Sequence, residues 1–138
     1  EAKIENEQSE DPYIPTTPSW DNKVGPYIID RHEYLIGQKI FLDYTSNEVG
    51  NLTVIKINND SKKPDVLVRT IKFNGESNFY FTPSLSDKLG LCNTNDLVGK
   101  WVLRPNLSSY PDLVFTVIDK KLPGWEHKFE EIVGIGKC

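Results

Sequence analysis

Short apolar runs separated by turn-forming residues fill the chain from Pro26 onward, and this alternation constrains the fold more than any other feature. The runs are rich in Val, Ile, Thr, Phe and Tyr, whereas Asn, Asp, Gly, Ser and Pro cluster between them. Runs of this length and composition are typical of β-strands joined by turns. The pattern predicts strands near Tyr27–Ile29, Gln38–Tyr44, Leu52–Ile57, Val66–Phe73, Phe79–Thr82, Lys100–Arg104 and Leu113–Ile118, and a further strand near Glu131–Gly136.

Three local signals refine this pattern. An Asn-Gly-Glu-Ser stretch at 74–77 separates two of the runs, which predicts a β-hairpin over 66–82. A serine able to cap a helix and a glycine able to end one predict a single helical turn over 84–89. Apolar residues at helical spacing favour a short amphipathic helix over 125–131, with a bent strand as the alternative.

The fold class predicted from these runs is all-β, with at most one or two short helices. Ile40, Leu42 and Tyr44 alternate along the chain with Lys39, Phe41 and Asp43. This alternation indicates a strand with one face in the core. The later strands are almost continuously apolar, which indicates cover on both faces. A small barrel or a two-layer sandwich of about seven or eight strands meets both requirements.

An internal echo suggests that the domain arose from a duplicated strand–loop–strand unit. Leu35–Leu42 resembles Leu97–Leu103, and in each copy a loop of equal length leads to another apolar run, Leu52–Ile57 or Leu113–Ile118. Two such units would each expose an apolar face that the other covers. Convergent strand patterning is the alternative explanation.

Composition divides the chain into an extended tether over 1–26 and a single all-β domain over 27–138. The tether is acidic and carries three evenly spaced prolines, a composition that buries too little apolar surface to offset the entropy of ordering. The chain contains no methionine. We expect a processed, exported protein, secreted or held at the cell envelope by its tether, with a lipid or a partner as the anchor.

The two cysteines, Cys92 and Cys138, are disulfide candidates. Disulfides persist in oxidising compartments, so a bonded pair would agree with an extracellular, periplasmic or outer-surface location. Two unrelated thiols are the alternative.

The chain carries no recognisable catalytic, metal or cofactor set. A nucleophilic pair is available only from Cys92 with His32 or His127, and no glycine-flanked turn or helix start accompanies the cysteine. The histidines stand apart, without the spacing of metal ligands. We therefore predict no catalytic residue, no metal site and no cofactor.

The surface chemistry points to binding. The net charge of −4, with acids and bases interspersed, argues against a nucleic-acid partner, and no apolar run is long enough for a transmembrane segment. Aromatic residues at loops and outward strand positions are the better signal, and Tyr80, Tyr110 and Trp125 are the candidate binding residues. Rings that merely cover the ends of the fold are the alternative.

Three functions follow from these features. The first is a non-catalytic extracytoplasmic domain that binds a protein or glycan at the cell surface. The second is a hydrolase that uses Cys92 with a histidine. The third is a structural subunit of a surface assembly.

Overall fold

The computed structural model describes residues 17–107, 109–124 and 136–138. The helix predicted over 125–131, nearly all of the strand predicted near Glu131–Gly136, and the candidate residues Trp125 and His127 lie outside these ranges. Most of the predicted tether, residues 1–16, lies outside them as well.

Strands account for nearly all the regular structure within the described ranges. The strands are β1 (Asn22–Val24), β2 (Tyr27–Ile29), β3 (Glu33–Ile36), β4 (Ile40–Tyr44), β5 (Val49–Lys56), β6 (Val66–Asn74), β7 (Ser77–Phe81), β8 (Gly99–Pro105) and β9 (Leu113–Lys121). One 3-10 turn, Thr94–Asp96, is the only helical element among the described residues.

The strands form two sheets. The five-stranded sheet has the order β3-β9-β8-β5-β6, and the four-stranded sheet has the order β1-β2-β4-β7. Neighbouring strands are antiparallel except β3 and β9, which run parallel. The strand content confirms the all-β prediction. Within the described part of the chain the two sheets do not close into a barrel, so the arrangement is that of a sandwich.

The seven strands predicted before residue 119 are all present, and two further strands join them. β1 lies inside the segment predicted as tether and pairs with β2 across a turn at Gly25. β3 pairs with the distant β9. Neither strand is long enough to show an apolar period in the sequence. Backbone pairing with a partner strand is what holds each of them in an extended conformation.

The predicted hairpin over 66–82 is wrong. β6 pairs with β5 from Val49–Asn74 to Lys56–Val66, whereas β7 pairs with β4 in the other sheet. The turn between β6 and β7 therefore carries the chain from the edge of one sheet to the edge of the other. The turn residues at 74–77 are compatible both with a hairpin and with a crossing between sheets. The long pairing of β6 with β5 favours the crossing.

The sequence echo reflects a shared local element and not a shared topology. Gly37 and Gly99 both have positive φ; Gly37 lies in the turn before β4, and Gly99 is the first residue of β8. In the first copy, however, β4 and β5 belong to different sheets, whereas in the second copy β8 and β9 are paired neighbours. The pseudo-symmetric pairing expected of a duplicated unit is not observed.

The helical turn predicted over 84–89 is also wrong. This segment forms hydrogen-bonded turns closed by a bridge between Ser86 and Leu91. The 3-10 turn lies a few residues further on, where the side chain of Asn93 caps its first residues and Asp96 completes a capping box. A cap satisfied from both sides stabilises a turn that the sequence pattern did not reveal.

Aromatic side chains fill the core between the sheets. Trp101 is fully buried and donates its indole N–H to the carbonyl of Leu97 at 2.9 Å. Its ring stacks on Phe115, which also meets Tyr34 edge to face. A second cluster, of Tyr27, Tyr44 and Phe73, closes the other end. Pairs of this kind contribute about 0.5–1.5 kcal/mol each beyond their buried area.

The prediction that the near-continuous apolar runs are covered on both sides holds for β5 and β8 only in part and is wrong for β6 and β9, where Leu67 and Val114 are exposed. Ile55 and Val102 are buried although they lie outside the main core cluster, and they face each other in the β5–β8 pairing.

The Gly50→Ala variant is expected to lower the free energy of unfolding by about 1–3 kcal/mol, because the added methyl group overpacks the core. A Cβ at this buried position would lie 2.7 Å from the hydroxyl oxygens of both Tyr27 and Tyr44. Urea denaturation of the purified protein measures the change. A double-mutant cycle with Tyr44→Phe, which removes one of the two hydroxyls, should show positive coupling. A Gly50→Ala protein as stable as the wild type would contradict this account of the core.

Candidate functional site

Phe41 and Tyr80 form an exposed aromatic pair on the outer face of the four-stranded sheet. They lie directly opposite each other on β4 and β7, with ring centroids 5.4 Å apart. Their exposed fractions are 43% and 56%, which is high for large apolar side chains. Alternation along β4 explains the arrangement, since Ile40 and Leu42 point into the core and so direct Phe41 outward.

Polar groups surround this pair. The Lys39 amine lies 5.1 Å from the centroid of the Tyr80 ring, within the range of a cation–π contact. Asp43 and Asn78 face each other two residues along the same strands, with their Cα atoms about 6.8 Å along the strand from those of Phe41 and Tyr80. The outer face thus presents two rings beside a carboxylate, an amide and an ammonium group.

The buried carboxylate of Asp30 fixes the backbone beneath the aromatic pair. Asp30 Oδ1 accepts from the Phe41 amide at 3.1 Å and from the Tyr34 hydroxyl at 2.7 Å. Tyr34 belongs to the five-stranded sheet, so this single carboxylate joins the two layers at the edge of the candidate site. Burial and the hydrogen bond to Asp30 raise the pKa of the Tyr34 hydroxyl, which therefore remains a donor.

Trp20 lies at the same end of the sheet and is 46% exposed. Its backbone has a φ of 54°, a left-handed conformation that is rare for a residue with a side chain. The Trp20 amide donates to the Asp30 carbonyl, and the Asp30 amide donates to the Phe41 carbonyl. The backbones of Trp20, Asp30, Phe41 and Tyr80 therefore form one row across the strands.

The candidate residue Tyr110 lies elsewhere. It is half-buried, and its ring packs so closely on Gly25 that an added Cβ there would be 2.6 Å away. Tyr27, two residues after Gly25, pairs with Tyr44, which pairs in turn with Ser77 at the start of β7. Tyr80 lies three residues further along β7. The structure does not bring Tyr80 and Tyr110 into one patch.

The sequence analysis selected Tyr80 but missed Phe41. The signal was present, because the predicted alternation of Ile40, Leu42 and Tyr44 already placed Phe41 on the opposite face. Lys39 could not be found in this way, since its contact with Tyr80 depends on the pairing of β4 with β7.

The predicted disulfide is confirmed. Cys92 and Cys138 are bonded, with their Cα atoms 5.5 Å apart, and the chain has no free cysteine. The bond removes the Cys92 sulfur from any role as a nucleophile.

The disulfide is reinforced by Asp87. Its carboxylate accepts from the amides of Gly136 and Cys138 at 3.0 and 2.9 Å, and its carbonyl accepts from the Lys137 amide at 3.1 Å. The last residues of the chain are therefore fixed to the 86–92 segment by one covalent bond and three hydrogen bonds.

Ser19, Asp21 and His32 make contact, but in the wrong order for nucleophilic catalysis. Asp21 Oδ1 accepts from the Ser19 hydroxyl at 2.7 Å and lies 2.7 Å from His32 Nε2. The serine thus donates to the carboxylate and has no imidazole to receive its proton. The hydrogen bond from Ser19 lowers the pKa of Asp21. This group is a surface contact that joins the start of β1 to the loop before β3.

Lys56 is 2% exposed, an unusual position for an ammonium group. Its Nζ donates to the Ile57 carbonyl at 2.6 Å and to Asn59 Oδ1 at 3.3 Å. Asn59 in turn donates to the carbonyls of Asn95 and Val98, so the network ties the loop after β5 to the segment before β8. Burial lowers the pKa of Lys56.

Residues 17–107, 109–124 and 136–138 contain no group of three His, Cys, Asp or Glu side chains able to hold a metal ion. No helix in these ranges has the length and hydropathy needed to cross a bilayer. Comparisons with protein-family models, curated proteins and solved structures find no match to this chain.

Replacing Cys92 and Cys138 together by serine is expected to lower the free energy of unfolding by up to about 4 kcal/mol, the chain-entropy value for a loop of this length. The bond spans 46 residues. The Asp87 contacts should keep the C-terminal packing in the folded variant, so the loss should arise mainly from the greater freedom of the unfolded chain. Guanidinium denaturation of both proteins tests the effect. Thiol titration of the unreduced wild type should find no free thiol, and detection of two would contradict the bond.

Lys56 should make stability depend on pH in the alkaline range. Its pKa in the folded protein is below the ordinary value of 10.5, so between these two values the unfolded chain binds more protons. The free energy of unfolding of the wild type, relative to Lys56→Met, should therefore rise with pH until about the ordinary value is reached. Denaturation of both proteins across this range measures the difference. A difference that stays constant with pH would show that Lys56 is not desolvated.

Proposed function

We propose that this protein is a non-catalytic β-sandwich domain that acts outside the cytoplasm and binds a glycan on the outer face of its four-stranded sheet. The observation that carries the proposal is the exposed Phe41–Tyr80 pair with Lys39 beside it. These two large rings on paired strands remain about half exposed to water and lie outside the buried core cluster.

The chemistry of this face favours a glycan. A sugar presents an apolar C–H face that an aromatic ring can cover, and hydroxyl groups at its rim that need donors and acceptors. Phe41 and Tyr80 supply the rings, and Asp43 and Asn78 supply a carboxylate and an amide on the same face. A protein hot spot is instead typically a wide patch from which polar groups are excluded at the centre.

The location outside the cytoplasm is supported by the disulfide. Bonds between cysteines are kept in oxidising compartments and are rare where thiols are kept reduced. Secretion and attachment to the cell envelope belong to this proposal.

The other functions predicted from the sequence receive less support. A hydrolase built on Cys92 would need the sulfur that the disulfide holds. A structural subunit of a surface assembly would use exposed faces to contact further copies, and it predicts concentration-dependent association that analytical ultracentrifugation would detect.

Phe41→Ala and Tyr80→Ala should each weaken glycan binding by about two- to tenfold, because one aromatic contact contributes about 0.5–1.5 kcal/mol. Glycans that bind the wild type would first be identified on an array of immobilised oligosaccharides, and affinities would then be measured by calorimetry.

Val114→Ala and Leu67→Ala are the matched controls, since both remove exposed apolar side chains from the five-stranded sheet. Neither should change the affinity. Equal loss in the controls, or binding that survives the double variant Phe41→Ala/Tyr80→Ala, would contradict the assigned surface. If no glycan binds the wild type but a protein does, and Phe41→Ala and Tyr80→Ala each abolish that protein's binding, then the ligand of this surface is a protein and not a glycan.

A further inference from the structure

A cavity of about 220 Å³, open to solvent on one side, lies at the seam between β6 and β7. The two strands are the edges of their respective sheets, and the segment after β7 contributes to the cavity lining. The cavity is separate from the Phe41–Tyr80 surface, which lies on the outer face. Its apolar lining consists of Val54, Val68, Phe81, Pro83, Leu85, Leu89 and Trp101.

We propose that this cavity binds a small organic acid, with the apolar part of the molecule inside and its carboxylate at Arg69. Arg69 belongs to β6, is exposed, and contributes to the lining of the same cavity. A guanidinium group is the side chain best suited to hold a carboxylate, because its planar fork can donate two parallel hydrogen bonds.

The position of Arg69 is already restricted. Its guanidinium carbon lies 5.2 Å from the centroid of the Phe79 ring on the neighbouring edge strand. This contact holds the charge across the seam, at the entrance to the apolar space. Less side-chain entropy is therefore lost when an anion binds.

The volume of the cavity sets the size of the ligand. A cavity of roughly 150 Å³ lined by aliphatic and aromatic side chains is large enough to hold benzene. Pockets for drug-sized molecules begin at about 300 Å³. A volume between these values suits one aromatic ring with a short side chain, or an alkyl chain of similar bulk.

The walls of the cavity are held in place without a ligand. Trp101 is fixed by its hydrogen bond to Leu97, and its ring lies against Phe115. Leu85 and Leu89 belong to the segment after β7. The Ser86–Leu91 bridge and the neighbouring disulfide hold this segment in place. Ser84 and Ser86 also line the cavity. The Ser84 hydroxyl donates to the Thr82 carbonyl at 2.9 Å, so Ser86 is the serine whose hydroxyl can donate to a bound carboxylate.

The test titrates the folded protein with octanoate and 3-phenylpropionate, and with the neutral alcohols octanol and 3-phenylpropanol. Calorimetry gives the affinities, and methyl NMR signals show whether Leu85 and Leu89 respond. We expect the acids to bind more tightly than the alcohols and both leucines to shift.

Arg69→Gln should weaken binding of the acids roughly tenfold and leave binding of the alcohols unchanged, as expected for one charge-assisted contact. Arg104→Gln is the matched control, because Arg104 is an exposed arginine paired with Asp112 on the other side of the sheet. Val68→Leu, which adds bulk inside the cavity, should weaken acids and alcohols alike, with folding checked by thermal denaturation.

Three results would overturn the proposal. These are the absence of binding by all four probes, acid affinities that Arg69→Gln leaves unchanged, and binding that shifts neither Leu85 nor Leu89. Loss of glycan binding in the Phe41 and Tyr80 variants has no bearing on this outcome, because those side chains do not line the cavity.

Discussion

The packing of Trp101 between the two sheets is the interaction on which the rest of the structure depends. Its ring stacks on Phe115, which meets Tyr34 in turn, so three strands of the five-stranded sheet share one aromatic stack. The indole N–H is satisfied by the carbonyl of Leu97, so this large side chain is buried without an unpaired polar atom. The same ring lines the cavity at the seam between β6 and β7.

The candidate binding face is a direct consequence of this core. A strand that buries every second side chain must expose the others, so filling the interior with Ile40 and Leu42 puts Phe41 in solvent. Asp30 then adds precision, because one buried carboxylate fixes the Phe41 backbone and the Tyr34 hydroxyl together. The buried Tyr34 hydroxyl and the backbone of the exposed Phe41 are therefore linked through their hydrogen bonds to Asp30.

Covalent and polar links secure the end of the sandwich where the chain leaves the four-stranded sheet. The disulfide, the Asp87 carboxylate and the Lys56–Asn59 network each join segments that are distant in sequence. They act where the strands stop and backbone pairing can no longer hold the chain. The segment that carries Leu85 and Leu89, which line the cavity, is held by the Ser86–Leu91 bridge and precedes the disulfide at Cys92.

The amino-acid sequence by itself determined the all-β class, seven strands and the inward side of β4, because strand periodicity is a local property of neighbouring side chains. The pairing of Cys92 with Cys138 was also within its reach, since no other cysteine competes. Only the tertiary structure decided that β6 and β7 separate into different sheets, that the short β1 and β3 become strands, and that Phe41 meets Tyr80. β1 pairs with its neighbour β2 across a tight turn, but the other features depend on backbone hydrogen bonds between segments distant in sequence. Local residue patterns do not specify which distant partner a strand will pair with.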